Sequence, residues 1–258
     1  MTTSEQRVAV VIPAKDEQDR IAATIRAARA IPHVDLVVVV DDGSEDDTQK
    51  AARDAGATVV RHSINRGKAS AMETGAQVAA MRDTEGRPPR LLLFLDADLG
   101  DTAVEASPLV APVLEGKADF TVAALPPQEG AGGFGLVTGA AFKAIKRTTG
   151  WEPRQPISGQ RCMTREAFMA ALPLASGWGV ETGMTIDLLV AGFTVQEVVC
   201  DLKHRASGNN FAGQLHRADQ YKGVAKAVLA RRLRRIHVPH GKRNSASKPY
   251  EPYNAYKG

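Results

Sequence analysis

Cysteine is nearly absent from this chain. Cys162 and Cys200 are the two in 258 residues, too few for a disulfide scaffold and without the C-x-x-C spacing of zinc or redox sites. Two reduced, buried thiols are the expectation. Long apolar runs are absent too, since none approaches the roughly 20 residues that span a bilayer. The first residues, MTTSEQRVAVVIPAKDE, show no cationic head leading into a long apolar segment and a small-residue cleavage site. Export and membrane insertion are therefore not expected, and the cytoplasm is the expected location. RNP, zinc-finger and helix-turn-helix patterns are missing, which removes the usual grounds for a nucleic-acid partner.

What is present is enough chain for one α/β domain or a small pair, with a substantial core. Its formal charge of +4 is unevenly placed. Residues 231–258 hold eight Lys and Arg against Glu251 alone, or +7, while the residues before them hold 25 basic against 28 acidic side chains, or −3. The pI of about 9.1 thus describes a C-terminal segment attached to a mildly acidic body.

Through the first half, apolar β-rich runs alternate with helical periodicity. VAVVI (8–12), LVVVV (36–40), ATVVR (57–61) and LLLFL (91–95) read as strands, with helices over 17–30, 46–55 and 67–82 between them. Strands apolar on both faces and joined by helices predict a doubly wound α/β arrangement, a mainly parallel sheet with helices on both faces. Further on, 118–124 and 194–200 read as strands. Residues 136–148, a short stretch after Thr164, the end of 177–193 and 212–237 read as helices, and 125–135 as a Pro/Gly-rich loop. The composition after Pro239 predicts a disordered tail over 239–258.

In an open parallel sheet, ligands bind beyond the carboxyl ends of the strands. Pro13, Lys15 and Glu17 follow the first strand, Asp41 and Asp42 the second, Asn65 to Lys68 the third, and Asp96 and Asp98 the fourth. Any one of these clusters could be turn or cap chemistry; four in succession point to a shared cleft. Asp96-Ala97-Asp98 can present carboxylate oxygens to one hard divalent cation, which would bridge to a diphosphate and neutralise charge on a departing nucleotide. Asp42 could accept from a base or ribose donor. Lys68, at a helix start after a glycine, suits phosphate.

VVIPAKDE, VVDDGS, NRGKASAMETG and FLDADLG, in that order, resemble the family 2 glycosyltransferases of the GT-A fold. The resemblance implies a nucleoside diphosphate sugar donor and Mg²⁺ or Mn²⁺. It implies that Pro13, Lys15, Glu17 and Asp42 line the nucleoside pocket, that Asp96 and Ala97 lie by the nucleotide and sugar, and that Asp98 binds the metal, with Asp96 beside it. Ile157-Ser158-Gly159-Gln160-Arg161, followed by MTREAF, resembles a segment of dolichol-phosphate mannose synthases and related polyprenyl-phosphate enzymes, whereas GWGVETGMTIDLL (177–189) and VVCDLKHRASG (198–208) are similar to glucosyl-3-phosphoglycerate synthases. In that subclass Glu181 would stand near the acceptor and His204 would complete the metal site. Gly159, Gln160, Arg161 and Arg205 are the acceptor-side candidates, guanidiniums being suited to phosphate. Glu181 could orient the acceptor hydroxyl or act as a base.

These readings give one domain over 1–238, with a nucleotide-binding half at 8–124 and an acceptor half at 125–238. The expected activity is metal-dependent hexose transfer from UDP-glucose or GDP-mannose to a phosphorylated small acceptor such as 3-phosphoglycerate. The alternatives are a polyprenyl-phosphate acceptor, a nucleotidyltransferase, or a non-catalytic sugar-nucleotide binder. In 227–238, Val228, Leu229, Leu233 and Ile236 fall on one side of a helix and four arginines largely on others. Docking on the domain is preferred for that helix, with peripheral contact at the inner face of the membrane or a homodimer as the other uses.

Overall fold

The computed structural model describes residues 6–124, 135–203, 211–244 and 247–257. Seven strands form one sheet: β1 Val8–Ala14, β2 Val34–Asp41, β3 Thr58–Arg61, β4 Leu91–Phe94, β5 Phe120–Ala124, β6 Arg161–Met163 and β7 Val195–Val199, in the order β3-β2-β1-β4-β6-β5-β7. The helices are α1 Ile21–Arg29, α2 Thr48–Asp54, α3 Lys68–Met81, α4 Val110–Leu114, α5 Leu136–Thr149, α6 Arg165–Ala170, α7 Val180–Val190 and α8 Phe211–Leu233.

The valine-rich runs form strands because β-branched side chains pack well on a pleated surface buried on both sides. Alternation along β1 divides the core. Val8, Val10 and Ile12 pack with Ile21, Ile25 and Ala28 of α1 on one face, and Ala9 and Val11 with Met72 and Ala76 of α3 on the other. Helix α3 lies so close that a methyl group on Gly75 would come within 2.3 Å of Val11 Cγ1. Among the described residues, no helix is long and apolar enough to cross a membrane.

Four features differ from the sequence-based expectation. Strand β6 runs antiparallel to both neighbours, and three residues are too short a run to declare a strand by pattern. Its direction brings the residues before it, Gly159 and Gln160, to the carboxyl edge of the parallel strands. The chain from Gly100 to Leu109 forms 3₁₀ turns that continue into α4.

Helix α8 ends at Leu233 and docks through a different stripe from the one expected. Leu229 and Leu233 are 56% and 76% exposed, while Val224, Ala227 and Arg231 are buried. The reason is backbone contact with the turn before α7. A Cβ on Gly179 would lie 2.5 Å from Gly223 O and from Ala227 Cβ, so the two glycines let the elements touch. Gly183 leaves room for the guanidinium of Arg231, which pairs with both carboxylate oxygens of Asp187.

The segment after Pro239, expected to be disordered, returns to the domain. Tyr253 is 2% exposed and exchanges two backbone hydrogen bonds with Val195, at 2.7 and 2.9 Å. Its hydroxyl donates toward Thr149 O and Asn244 O. Tyr256 also packs on the core and donates its hydroxyl to Val190 O at 2.7 Å; a polar tail with two well-placed aromatics can thus be ordered, because burying tyrosines with satisfied hydroxyls offsets much of the cost of fixing the chain.

Candidate functional site

The site is built where β4 ends. Thr24, fully buried on α1, donates to Ala97 O at 2.8 Å and accepts from Gly100 N at 2.8 Å. Arg20 donates to Asp98 O at 3.0 Å. These bonds fix the Asp96–Gly100 turn, so that Asp96 and Asp98 are presented at the carboxyl edge, both partly exposed.

Lys68, the first residue of α3, reaches into the same space. Its Nζ lies 2.7 Å from Asp96 Oδ1 and 3.0 Å from Glu181 Oε1. Burial disfavours the ammonium, but the two carboxylates outweigh it and hold its pKa above the usual lysine value. The other oxygen of Asp96 accepts from Gln160 Nε2 at 2.6 Å, and Ser158 Oγ donates to Gln160 Oε1 at 3.2 Å. Gly159 is required here: a methyl group on it would lie 2.6 Å from Lys68 Nζ and 2.9 Å from Asp96 Oδ2. Glu181, in the first turn of α7, is 7% exposed. Four elements remote in sequence therefore meet at one ammonium.

Arg161 does not line this space. It is 1% exposed, donates to Ser158 O at 2.9 Å and to Thr185 Oγ1 at 2.8 Å, and leaves one terminal nitrogen buried without a partner. Burial lowers its pKa to about 10 against the opposing charges of Glu181 and Glu197, so it is a cation at neutral pH. Its place behind Ser158 and α7 makes it a support for the loop and for Glu181 rather than an exposed phosphate clamp.

A second group surrounds the ends of β1, β2 and β3. Asp42 is 5% exposed and accepts from the amides of Arg66 at 2.8 Å and Gly67 at 2.7 Å. His62 Nδ1 lies 2.7 Å from its Oδ1. A carboxylate only accepts, so that nitrogen carries the hydrogen, and Nε2 lies 3.0 Å from Thr74 Oγ1. Asp42 thereby holds the Asn65–Gly67 loop against β2 and sets the start of α3. Gly43 has φ +75, and the backbone of Ile64 and Asn65 passes within 2.9 Å of where a Cβ would stand, so only glycine fits there. Lys15 pairs with Asp16 at 2.7 Å, and Glu17 is tied through its amide to Thr48 Oγ1 at 2.8 Å. Pro13 and Ala97 occupy the same edge, at the ends of β1 and β4.

The structure therefore brings Lys68, Asp96, Gly159, Gln160 and Glu181 into contact, leaves Asp98 beside them, and groups Lys15, Glu17 and Asp42 around the neighbouring strand ends. His204 and Arg205, expected as a metal ligand and an acceptor contact, lie outside the described residues. Sequence reasoning missed Thr24, His62 and Thr185. Each is a polar side chain that is buried, or in contact with a buried one, and works through backbone or carboxylate partners. Only Thr24, an isolated threonine on the apolar face of α1, offered a pattern signal.

Residues 9–170 match the model of glycosyl transferase family 2. The chain is 31% identical over 204 residues to the glucosyl-3-phosphoglycerate synthase of Mycolicibacterium paratuberculosis, covering 70% of this chain and 59% of that protein. It is 29% identical over 211 residues to glycosyltransferase AglJ of Haloferax volcanii, covering 79% and 65%. The chain thus spans less than two thirds of the length of either relative. The crystal structure of glucosyl-3-phosphoglycerate synthase from Mycobacterium tuberculosis, in complex with Mg²⁺ and uridine diphosphate, matches with a TM-score of 0.71 at 25% identity, covering 93% of this chain and 83% of that one. The GT-A architecture expected from the strand-end motifs is the one observed. With more than half of its residues matched by the family model, the chain belongs to glycosyl transferase family 2.

Proposed function

We propose that the chain moves a hexose from UDP-glucose or GDP-mannose to a phosphorylated small acceptor such as 3-phosphoglycerate. The observation that carries the reading is the contact of Lys68 with both Asp96 and Glu181, on a chain 31% identical to a protein named for that reaction. A cation and carboxylates from three elements meet there at the carboxyl edge of the sheet, next to Asp98.

A divalent cation fits the donors present. Asp98 offers hard oxygens at an exposed turn, with Asp96 two residues away. Mg²⁺ commonly takes one or two carboxylates and completes its shell with phosphate oxygens and water. When bound, the cation would neutralise charge developing on the departing diphosphate. Lys68 adds a fixed positive charge to the same region without reorganisation, because both its partners hold it in place. Asp96, with one oxygen on Lys68 and the other on Gln160, keeps a single orientation toward the sugar. Glu181 presents its carboxylate for an acceptor hydroxyl to bond to, and Arg161 behind it braces the first turn of α7. Asp42 organises the loop that delivers Lys68.

The test is a panel of UDP- and GDP-sugars with Mg²⁺ or Mn²⁺, with 3-phosphoglycerate or a short polyprenyl phosphate as acceptor, reading nucleotide release. Acceptor-dependent release with 3-phosphoglycerate supports the proposal. Release only with polyprenyl phosphate moves the acceptor to the lipid class, and no release in any combination overturns the enzyme reading. Asp98→Ala is expected to fold normally and to lose metal-dependent turnover by at least about 100-fold; full activity in that variant would move the cation elsewhere.

A further inference from the structure

The C-terminal ends of α5 and α8 converge. Val238 N bonds Thr148 O at 3.0 Å, and Tyr253 pairs with Val195, the first residue of β7. This is the amino edge of the parallel strands. A cavity of about 610 Å³ opens there between the two helices and the turn at His240–Lys242. Lys143, Arg147, Arg232, Arg235 and Arg243 line it, and no acidic side chain stands among its described lining residues. Arg231 also reaches it but is neutralised by Asp187.

Basic residues at helix C-termini have an ordinary use, which is to complement the dipole. The magnitudes do not balance. Two helix ends supply about half a negative charge each, against five cationic side chains, which leaves a surplus of about four. His237 and His240 also line the cavity.

Arg235 supplies an independent observation. Its φ is +55, and it closes helix α8 with the bonds Arg235 N to Arg232 O at 3.1 Å and Ile236 N to Arg231 O at 2.9 Å. That pair of bonds is the Schellman arrangement, whose left-handed position is the usual place for glycine. The chain keeps a guanidinium at the position where glycine would relieve strain, and the side chain lines the cavity. Arg243 is anchored by its terminal nitrogen to Thr148 O at 3.1 Å and Val238 O at 2.9 Å, and its Nε is buried without a partner. The floor is apolar, formed by Ile186, Val228 and Ile236.

We propose that this cavity is a second ligand site, separate from the transfer site, for an organic anion that carries two or more phosphate groups. Planar guanidinium forks recognise phosphate oxygens in pairs, the apolar floor takes the organic part, and the volume lies in the range of small-molecule sites. The same chemistry is offered by a soluble phosphorylated metabolite and by a phosphoinositide headgroup at a membrane surface.

The experiment uses the full chain in EDTA at an ionic strength of about 0.15 M, where exposed charges are well screened. Calorimetric titration with inorganic tripolyphosphate is run on wild type, Arg235→Gly, Arg147→Gln with Arg232→Gln, and Asp98→Ala. Wild type and Asp98→Ala bind alike, which separates this site from the transfer site whatever its activity. Arg235→Gly binds about tenfold more weakly yet unfolds at the same or a higher temperature, because glycine relieves the left-handed strain. The double variant loses binding. In a parallel arm, phosphatidylcholine vesicles containing a minority of phosphatidylinositol bisphosphate are sedimented with each protein. Cosedimentation that disappears in the double variant identifies the headgroup as the source, and tripolyphosphate binding without cosedimentation identifies a soluble ligand. Equal binding by wild type, Arg235→Gly and the double variant, or no binding in either arm, overturns the proposal.

Discussion

Replacing Lys68 with methionine keeps an unbranched side chain, one atom shorter, and removes the charge on which two carboxylates depend. The Nζ separations of 2.7 and 3.0 Å put the nearest oxygens of Asp96 and Glu181 at most 5.7 Å apart. At an effective dielectric of about 20, two like charges at that distance repel by about 3 kcal/mol. Breaking a buried ion pair from one side costs about 3–5 kcal/mol. Lys68 and Asp96 remain 28% and 27% exposed, so the lower end applies, and Lys68→Met is expected to destabilise the fold by about 3 kcal/mol at neutral pH. For a chain of this size that corresponds to a midpoint lowered by roughly 6–12 °C.

The loss has a pH signature. Lys68 has a raised folded pKa, so its stabilisation is complete below the usual lysine value of 10.5 and is lost only as pH rises through the higher folded value. Between about pH 5 and 7.5 its contribution in the wild type is therefore constant. In the variant, two adjacent carboxylates without a cation compete for a proton, and acid relieves the repulsion. Urea denaturation at about pH 7.5 and pH 5 should show a deficit of about 3 kcal/mol that shrinks to about 1 at the lower pH. A deficit below about 1 kcal/mol at pH 7.5, or one that is identical at both values, would refute the ion cluster as the organiser of the site.

Gly179→Ala should cost about 3 kcal/mol or more by equilibrium unfolding, since its methyl would stand 2.5 Å from the backbone oxygen of Gly223 and a backbone cannot yield as a side chain does. Gly139→Ala in α5, where nothing lies within 4 Å, should instead stabilise by about 0.5–1 kcal/mol; equal effects would contradict the packing account of the turn before α7. Glu197 has its pKa raised from 4.5, chiefly by burial and against the bonds from the Gln155 and Arg154 amides. Its folded state therefore holds the proton more tightly, and its contribution falls as pH rises from below 4.5 through the higher folded value. Glu197→Gln should accordingly gain stability relative to wild type as pH rises across that window, measured by denaturant titration, and a constant difference would contradict it. Tyr253→Ala should cost about 3 kcal/mol, read as a lowered thermal midpoint, whereas a free tail would give no change.

The strands, the sheet class and the strand-end clusters were legible because a buried parallel sheet writes itself as uniform apolar runs, and because polar residues that interrupt them are costly without a role. The expected LLLFLDADLG and NRGKAS segments meet as Asp96 and Lys68 for that reason. Antiparallel β6 was not legible, since three residues carry no period. The docked face of α8 was misread because Leu229 and Leu233 satisfied a helical stripe, while the true contact uses Gly223, Ala227 and an arginine neutralised by Asp187. Hydrophobicity counts side chains, and here the decisive quantity was how closely two backbones approach.

Backbone approach also sets the geometry of the site. Gly159 in SGQR and Gly179 in GWGVE look like flexible loop residues, yet each is a point of closest approach, the first to Lys68 and Asp96 and the second to α8. The turn before α7 is held by contact of its Trp178 and Gly179 with Gly223 of α8, and Asp187 further along α7 is held by Arg231. Helix α8 therefore fixes the position from which Glu181 meets Lys68. The basic C-terminal region thus braces the helix that carries Glu181, while its surplus charge is gathered at the opposite edge of the sheet.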